Sequence, residues 1–128
     1  MSLRSPLGRV LGLGSARGGS GHWYSQRVTA VALVILGIWF VASLVMLGGA
    51  SHEVVVAWLQ APFPAVMAML LVVVSAYHAH LGLQVIFEDY VNDRGTRFVI
   101  LVAIKFALVT ATLIGVLAVL RIAAGVGA

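Results

Sequence analysis

HAHLGLQVIFEDYV, His78 to Val91, closes an apolar run that begins near Pro64, and its reading decides the fold. From Pro64 to Phe87 no Asp, Glu, Lys or Arg interrupts the sequence. A helix rising about 1.5 Å per residue needs roughly 20 such residues to cross a hydrocarbon core of about 30 Å, so this run predicts a membrane span. Glu88, Asp89 and Tyr90 then mark where the span meets water. His78, in contrast, lies deep in the run, where an imidazole must find a partner.

Two further apolar segments flank this one. Residues Val28 to Leu47 are long enough to cross, and Gly48 and Gly49 end them; residues Phe98 to Leu120 form another span, closed by Arg121. The connector before Pro62 contains Val54 to Leu59 with Trp58, which reads as a short interfacial piece, and Pro62 and Pro64 suit the first turn of the next helix. The expected fold is therefore all-α: an integral membrane protein with three transmembrane helices, at about 28–47, 64–87 and 98–120, that forms part of a heteromeric helix bundle. Residues 1–27 are expected to be a basic, Gly/Ser-rich tail and residues 121–128 a short C-terminal tail.

Composition agrees with a lipid environment. The 128 residues are 62% hydrophobic and only 9% charged, against roughly 25% charged in soluble domains. A net charge of +4 invites a nucleic-acid reading, but no basic stripe interleaved with aromatics is present, so nucleic acid is not an expected partner. Arg4, Arg9, Arg17, Arg27, Arg94 and Arg97 instead fall on one side of a three-span topology and Arg121 on the other. The positive-inside rule then puts the N-terminus and the 88–97 turn in the cytoplasm, or in the matrix of an organelle. Lys105, about two turns into the third span, is expected to extend its stem toward that same surface. The glycines between Gly12 and Gly21 do not form a phosphate loop, since no strand precedes them and no Lys-Ser/Thr pair follows. The Arg-rich, acid-free start also fits a transit peptide. Without cysteine the chain supplies no disulfide, iron–sulfur ligand or covalent haem link of its own.

His78 lies roughly 15 Å below the inner end of its helix, near mid-bilayer. Two readings stand at this point: a hydrogen bond to a carbonyl or hydroxyl of a neighbouring helix, or axial ligation of haem iron. Gly82, Val85 and Asp89 share the histidine's face, and Gly82 leaves space for a macrocycle or for a close helix. His80 is about 200° around the helix and cannot share an iron with His78. His22 and His52 fall in polar segments and are expected to be exposed. A six-coordinate haem on His78 would thus take its other axial ligand from a partner subunit. At the inner surface, Tyr90 beside Asp89 could donate a hydrogen bond to a carbonyl such as a quinone's, with Asp89 orienting it or relaying protons.

Taken together, the basic Gly-rich tail, the string HWYSQRVTAVALV at His22 to Val34, the three spans and HAHLGLQVIFEDYV resemble the family of succinate dehydrogenase hydrophobic membrane anchor subunits of respiratory complex II. The resemblance covers nearly the whole chain. It implies that His78 is the axial haem b ligand, that Tyr90 with Asp89 binds ubiquinone, and that Arg27 lies near the haem propionates or the quinone pocket. It also implies a second succinate dehydrogenase membrane subunit of cytochrome b556 type, an iron–sulfur subunit carrying the iron–sulfur clusters, and a flavoprotein subunit carrying FAD, with the haem shared between the membrane subunits. The chain alone would then be non-catalytic, a part of succinate:quinone oxidoreductase. The alternatives are the anchor of a fumarate reductase and a cofactor-free structural membrane protein or transporter component. The start of the chain favours the bacterial cytoplasmic (inner) membrane over the mitochondrial inner membrane.

Overall fold

The computed structural model describes residues 19–126, which form four helices. These are α1 (Gly19–Met46), α2 (His52–Gln60), α3 (Pro62–Tyr90) and α4 (Arg94–Ala123). Helices α1, α3 and α4 are long and apolar enough to cross a membrane, so the chain is a multi-pass membrane protein. Helix α3 is central: it packs against α1 on one side and α4 on the other, and α1 and α4 do not pack against each other.

Each long helix runs past the apolar segment from which it is read. Helix α1 takes in residues 19–27, which the sequence assigns to the tail, and α3 continues through Glu88, Asp89 and Tyr90. The tail expected over the preceding residues, and the last two residues of the chain, lie outside the described residues. The reason for the longer helices is physical. Hydropathy marks the edge of the hydrocarbon, whereas the backbone hydrogen-bond ladder continues wherever nothing breaks it.

What breaks the ladder is local. Helix α1 ends in a turn in which Gly49 has a φ of 80°, a left-handed conformation that glycine adopts without steric conflict. Pro62 opens α3 at its first turn, where no intrahelical N–H is required. Asp93 opens α4: its carboxylate accepts the Thr96 amide N–H at 2.7 Å, satisfying one of the donors left free at a helix start. That hydrogen bond holds the Asp93 carboxyl below the usual carboxylate range. Only Val91 to Asp93 lie between α3 and α4, and Arg97 Nη1–H donates across this turn to the Glu88 carbonyl at 3.3 Å.

Small residues and aromatics set the packing. A Cβ at Gly115 of α4 would lie 3.0 Å from Val72 Cγ1 of α3, so the glycine lets these helices approach closely. At the opposite end from the α3–α4 turn, Trp39 of α1 stacks on Trp58 of α2 with centroids 5.9 Å apart, and Phe63 of α3 meets Trp39 edge-on at 6.4 Å. The interfacial piece read around Trp58 is thus helix α2, anchored by aromatic rings. Among apolar side chains, Leu36, Pro64, Ala65 and Leu81 are buried, while Val31, Ile38, Phe98, Phe106 and many others stay exposed. Those surfaces suit lipid or a partner's helices.

Candidate functional site

The site is built where α1 crosses α3. Thr29 of α1 is buried at 9% exposure, and its Oγ1 lies 2.8 Å from His78 Nδ1. The same oxygen lies 2.8 Å from the Ser25 carbonyl one turn back along α1 and 3.2 Å from that of Gln26. Gln26 Nε2 approaches the other ring nitrogen, His78 Nε2, at 3.4 Å. Gln26 Nε2 also lies over Gly82, where a Cβ would sit 3.7 Å from it, an ordinary van der Waals distance. The α1–α3 contact therefore does not require glycine at this position, one turn from His78.

Chemically, the imidazole is held at one nitrogen and only loosely met at the other. A hydroxyl has one proton, and at Thr29 it donates to the carbonyl of Ser25, leaving the oxygen's lone pairs to accept from Nδ1–H. A neutral imidazole protonated on Nδ1 has its lone pair on Nε2. The Gln26 amide N–H at 3.4 Å is a long contact by hydrogen-bond standards. The two readings of His78, hydrogen bond and metal ligation, are thus compatible, because the hydroxyl engages one nitrogen and a metal needs the other.

The remaining candidates separate into distinct places. Asp89 and Tyr90 stand on the last turn of α3, roughly 18 Å along the helix from His78, and Tyr90 is 84% exposed. Nearby, Gln84 Nε2–H donates to Glu88 at 2.8 Å, and the Arg97 bond to the Glu88 carbonyl ties this turn to α4. Arg27 is not brought to His78. It is exposed, with its guanidinium 5.4 Å from the centre of the Trp23 ring, a cation–π contact within α1.

His80 faces away from His78, as helix geometry requires. It lines a cavity of about 350 Å³ between α3 and α4 with Tyr77, Lys105 and Thr112, and its buried Nδ1 has no partner. Lys105 therefore reaches a space bordered by α3. His52 is exposed at the start of α2. His22, in contrast, is half-buried on α1 with its Nε2 unpartnered, because the helix extends back to include it.

Sequence reasoning missed Thr29 and Gln26. A signal existed: they are polar, spaced three apart at the N-terminal end of an apolar span, and so share a helix face. Which helix that face meets is not written in the spacing.

Known proteins resemble this chain over most of its length. The family described as succinate dehydrogenase/fumarate reductase transmembrane subunit matches residues 1–112. The chain is similar to the succinate dehydrogenase hydrophobic membrane anchor subunit of Rickettsia bellii (strain RML369-C), 32% identical over 108 residues, covering 84% of this chain and 86% of that protein. The protein of the same description from Rickettsia conorii is 34% identical over 99 residues, 76% of this chain and 79% of its own. The one from Paracoccus denitrificans is 36% identical over 93 residues, 73% of this chain and 71% of its own.

Proposed function

The chain belongs to the family of succinate dehydrogenase/fumarate reductase transmembrane subunits, and on that premise we propose that it anchors a succinate dehydrogenase, shares haem b through His78, and offers Tyr90 and Asp89 to ubiquinone. The partners are a second membrane subunit, an iron–sulfur subunit and a flavoprotein subunit that holds FAD. The membrane is the bacterial cytoplasmic membrane, with the N-terminus and the α3–α4 turn on the cytoplasmic side.

The observation that carries the haem assignment is the divided environment of His78: Nδ1 at 2.8 Å from Thr29 Oγ1 and Nε2 met only by an amide at 3.4 Å. Among the described residues no three His, Cys, Asp or Glu side chains converge on one point. A single imidazole suits an iron whose other positions come from a macrocycle and a partner. Bound haem would supply a one-electron carrier at mid-membrane depth.

At the inner surface, the Tyr90 hydroxyl donates a hydrogen bond to a quinone carbonyl oxygen and stabilises the negative charge that develops there on reduction. Asp89, its neighbour on the last turn, orients the phenol and passes a proton toward the same oxygen. Reduction of the quinone consumes two electrons, delivered from the iron–sulfur subunit, and two protons from the aqueous side. Arg97 keeps the turn that carries these groups fixed to α4 through the Glu88 carbonyl.

The test is spectroscopic. The complex purified through this chain is expected to show a low-spin haem b spectrum that His78→Ala removes or alters. An unchanged spectrum in that variant overturns the ligand assignment.

A further inference from the structure

Thr29 has no place in the family motif that assigns His78, Asp89 and Tyr90, yet it makes the short side-chain contact to the histidine. Its hydroxyl sits between two groups at 2.8 Å: the Ser25 carbonyl, which can only accept, and His78 Nδ1. With its one proton given to the carbonyl, Oγ1 is an acceptor aimed at the ring. An imidazole that binds iron through Nε2 carries its proton on Nδ1, and that proton needs an acceptor.

The site offers little competition for this role. Thr29 is buried, so water does not readily substitute for it. Gln26 meets the ring at Nε2 rather than Nδ1, and Arg27 is turned away over Trp23. Burial in a low-dielectric interface also makes an unaccepted Nδ1–H destabilising.

The geometry points to Thr29 as a positioning residue for the haem-binding imidazole: it fixes the Nδ1–H tautomer and the ring plane of His78 and raises the donor strength of Nε2. This rests on the reading of His78 as the axial ligand. A stronger imidazole donor stabilises ferric over ferrous iron, so Thr29 lowers the haem midpoint potential and helps retain the haem. The contact also spans two helices, so the depth and rotation of α1 against α3 set the ligand's orientation. Gln26, whose contact is long, gives way when Nε2 takes a ligand.

The experiment uses the assembled, membrane-extracted complex with all its subunits. Thr29→Val removes the hydroxyl at nearly constant volume; Thr29→Ser keeps it. Haem is measured per flavin, the midpoint potential by redox titration, and ligand orientation by the electron paramagnetic resonance spectrum of the low-spin ferric haem. Normalising to flavin confines the comparison to assembled complexes.

In Thr29→Val the expected result is a more positive midpoint potential, an altered low-spin signal and haem binding weakened about 10-fold. Thr29→Ser is expected to restore the wild-type values. Equal shifts in both variants would assign the effect to packing and overturn the inference, as would no shift in Thr29→Val. His78→Ala separates the two levels. If it abolishes the low-spin haem signal while Thr29→Val leaves potential and signal intact, the positioning role fails and the ligand assignment stands. If it leaves the haem unchanged, both fail together.

Discussion

At His78, in its proposed role as haem ligand, a single side chain meets two requirements that compete in most apolar surroundings. A polar ring at mid-membrane depth must be hydrogen-bonded to be tolerated, and a metal ligand must keep one lone pair available. Bonding Nδ1 to Thr29 at 2.8 Å while leaving Nε2 a contact of 3.4 Å satisfies both. Tyr90 presents the opposite case, since it is 84% exposed on this chain and its proposed partner is a ligand held jointly with another subunit. Tyr90→Phe removes one hydroxyl and little volume. A lost hydrogen bond to developing charge corresponds to a decrease on the order of 10- to 100-fold, so succinate:quinone reductase activity is expected to fall by that factor. Succinate oxidation by an artificial acceptor is expected to persist. An equal loss in both assays would trace the defect to assembly and contradict the quinone role.

Among the elements, α3 carries both proposed half-sites and so fixes their separation. Its C-terminal end is defined by the short turn to α4, which depends on the Asp93 cap and on the Arg97 bond to Glu88. Asp93→Ala is expected to fray the first turn of α4 and loosen the Asp89–Tyr90 segment. Hydrogen exchange at the Thr96 and Arg97 amides in the reconstituted complex measures this; unchanged protection would show the cap to be dispensable. The pH dependence has a definite sign. The carboxyl of Asp93 is held lower when folded than in an unfolded chain. Its capping contribution is therefore complete above the ordinary carboxylate value of about 3.9 and disappears as pH falls through the lowered folded value. At neutral pH the wild-type cap is fully ionised.

For the whole molecule, the row of helices α1, α3 and α4 leaves much of each helix uncovered. Leu36, Pro64, Ala65 and Leu81 are its buried apolar side chains among the described residues, too few to define a self-contained bundle. Lipid can solvate the apolar faces and water the exposed Tyr90 and Asp89, but neither completes the coordination of the proposed haem iron. The chain expressed without the other subunits is accordingly expected to accumulate poorly in membranes and to contain no low-spin haem. Coexpression with the second membrane subunit is expected to restore both. Immunoblotting with haem spectra checks the point, and stable accumulation of haem-loaded chain alone would contradict the dependence on a partner.

The sequence by itself determined the class of the protein, its three spans and the place of His78 well inside one of them, because hydropathy over about 20 residues and a fixed helical rise are local properties. It also placed His80 away from His78, since rotation per residue is equally local. Helix ends were less legible: α3 runs on to Tyr90 because a hydrogen-bond ladder does not stop where the hydrocarbon does. Only the tertiary structure decided which side chains meet the His78 ring: Thr29 at Nδ1 and Gln26, rather than Arg27, at Nε2. Those facts depend on the rotation and depth of one helix against another, set by packing between residues some 50 positions apart. No period in either helix encodes that.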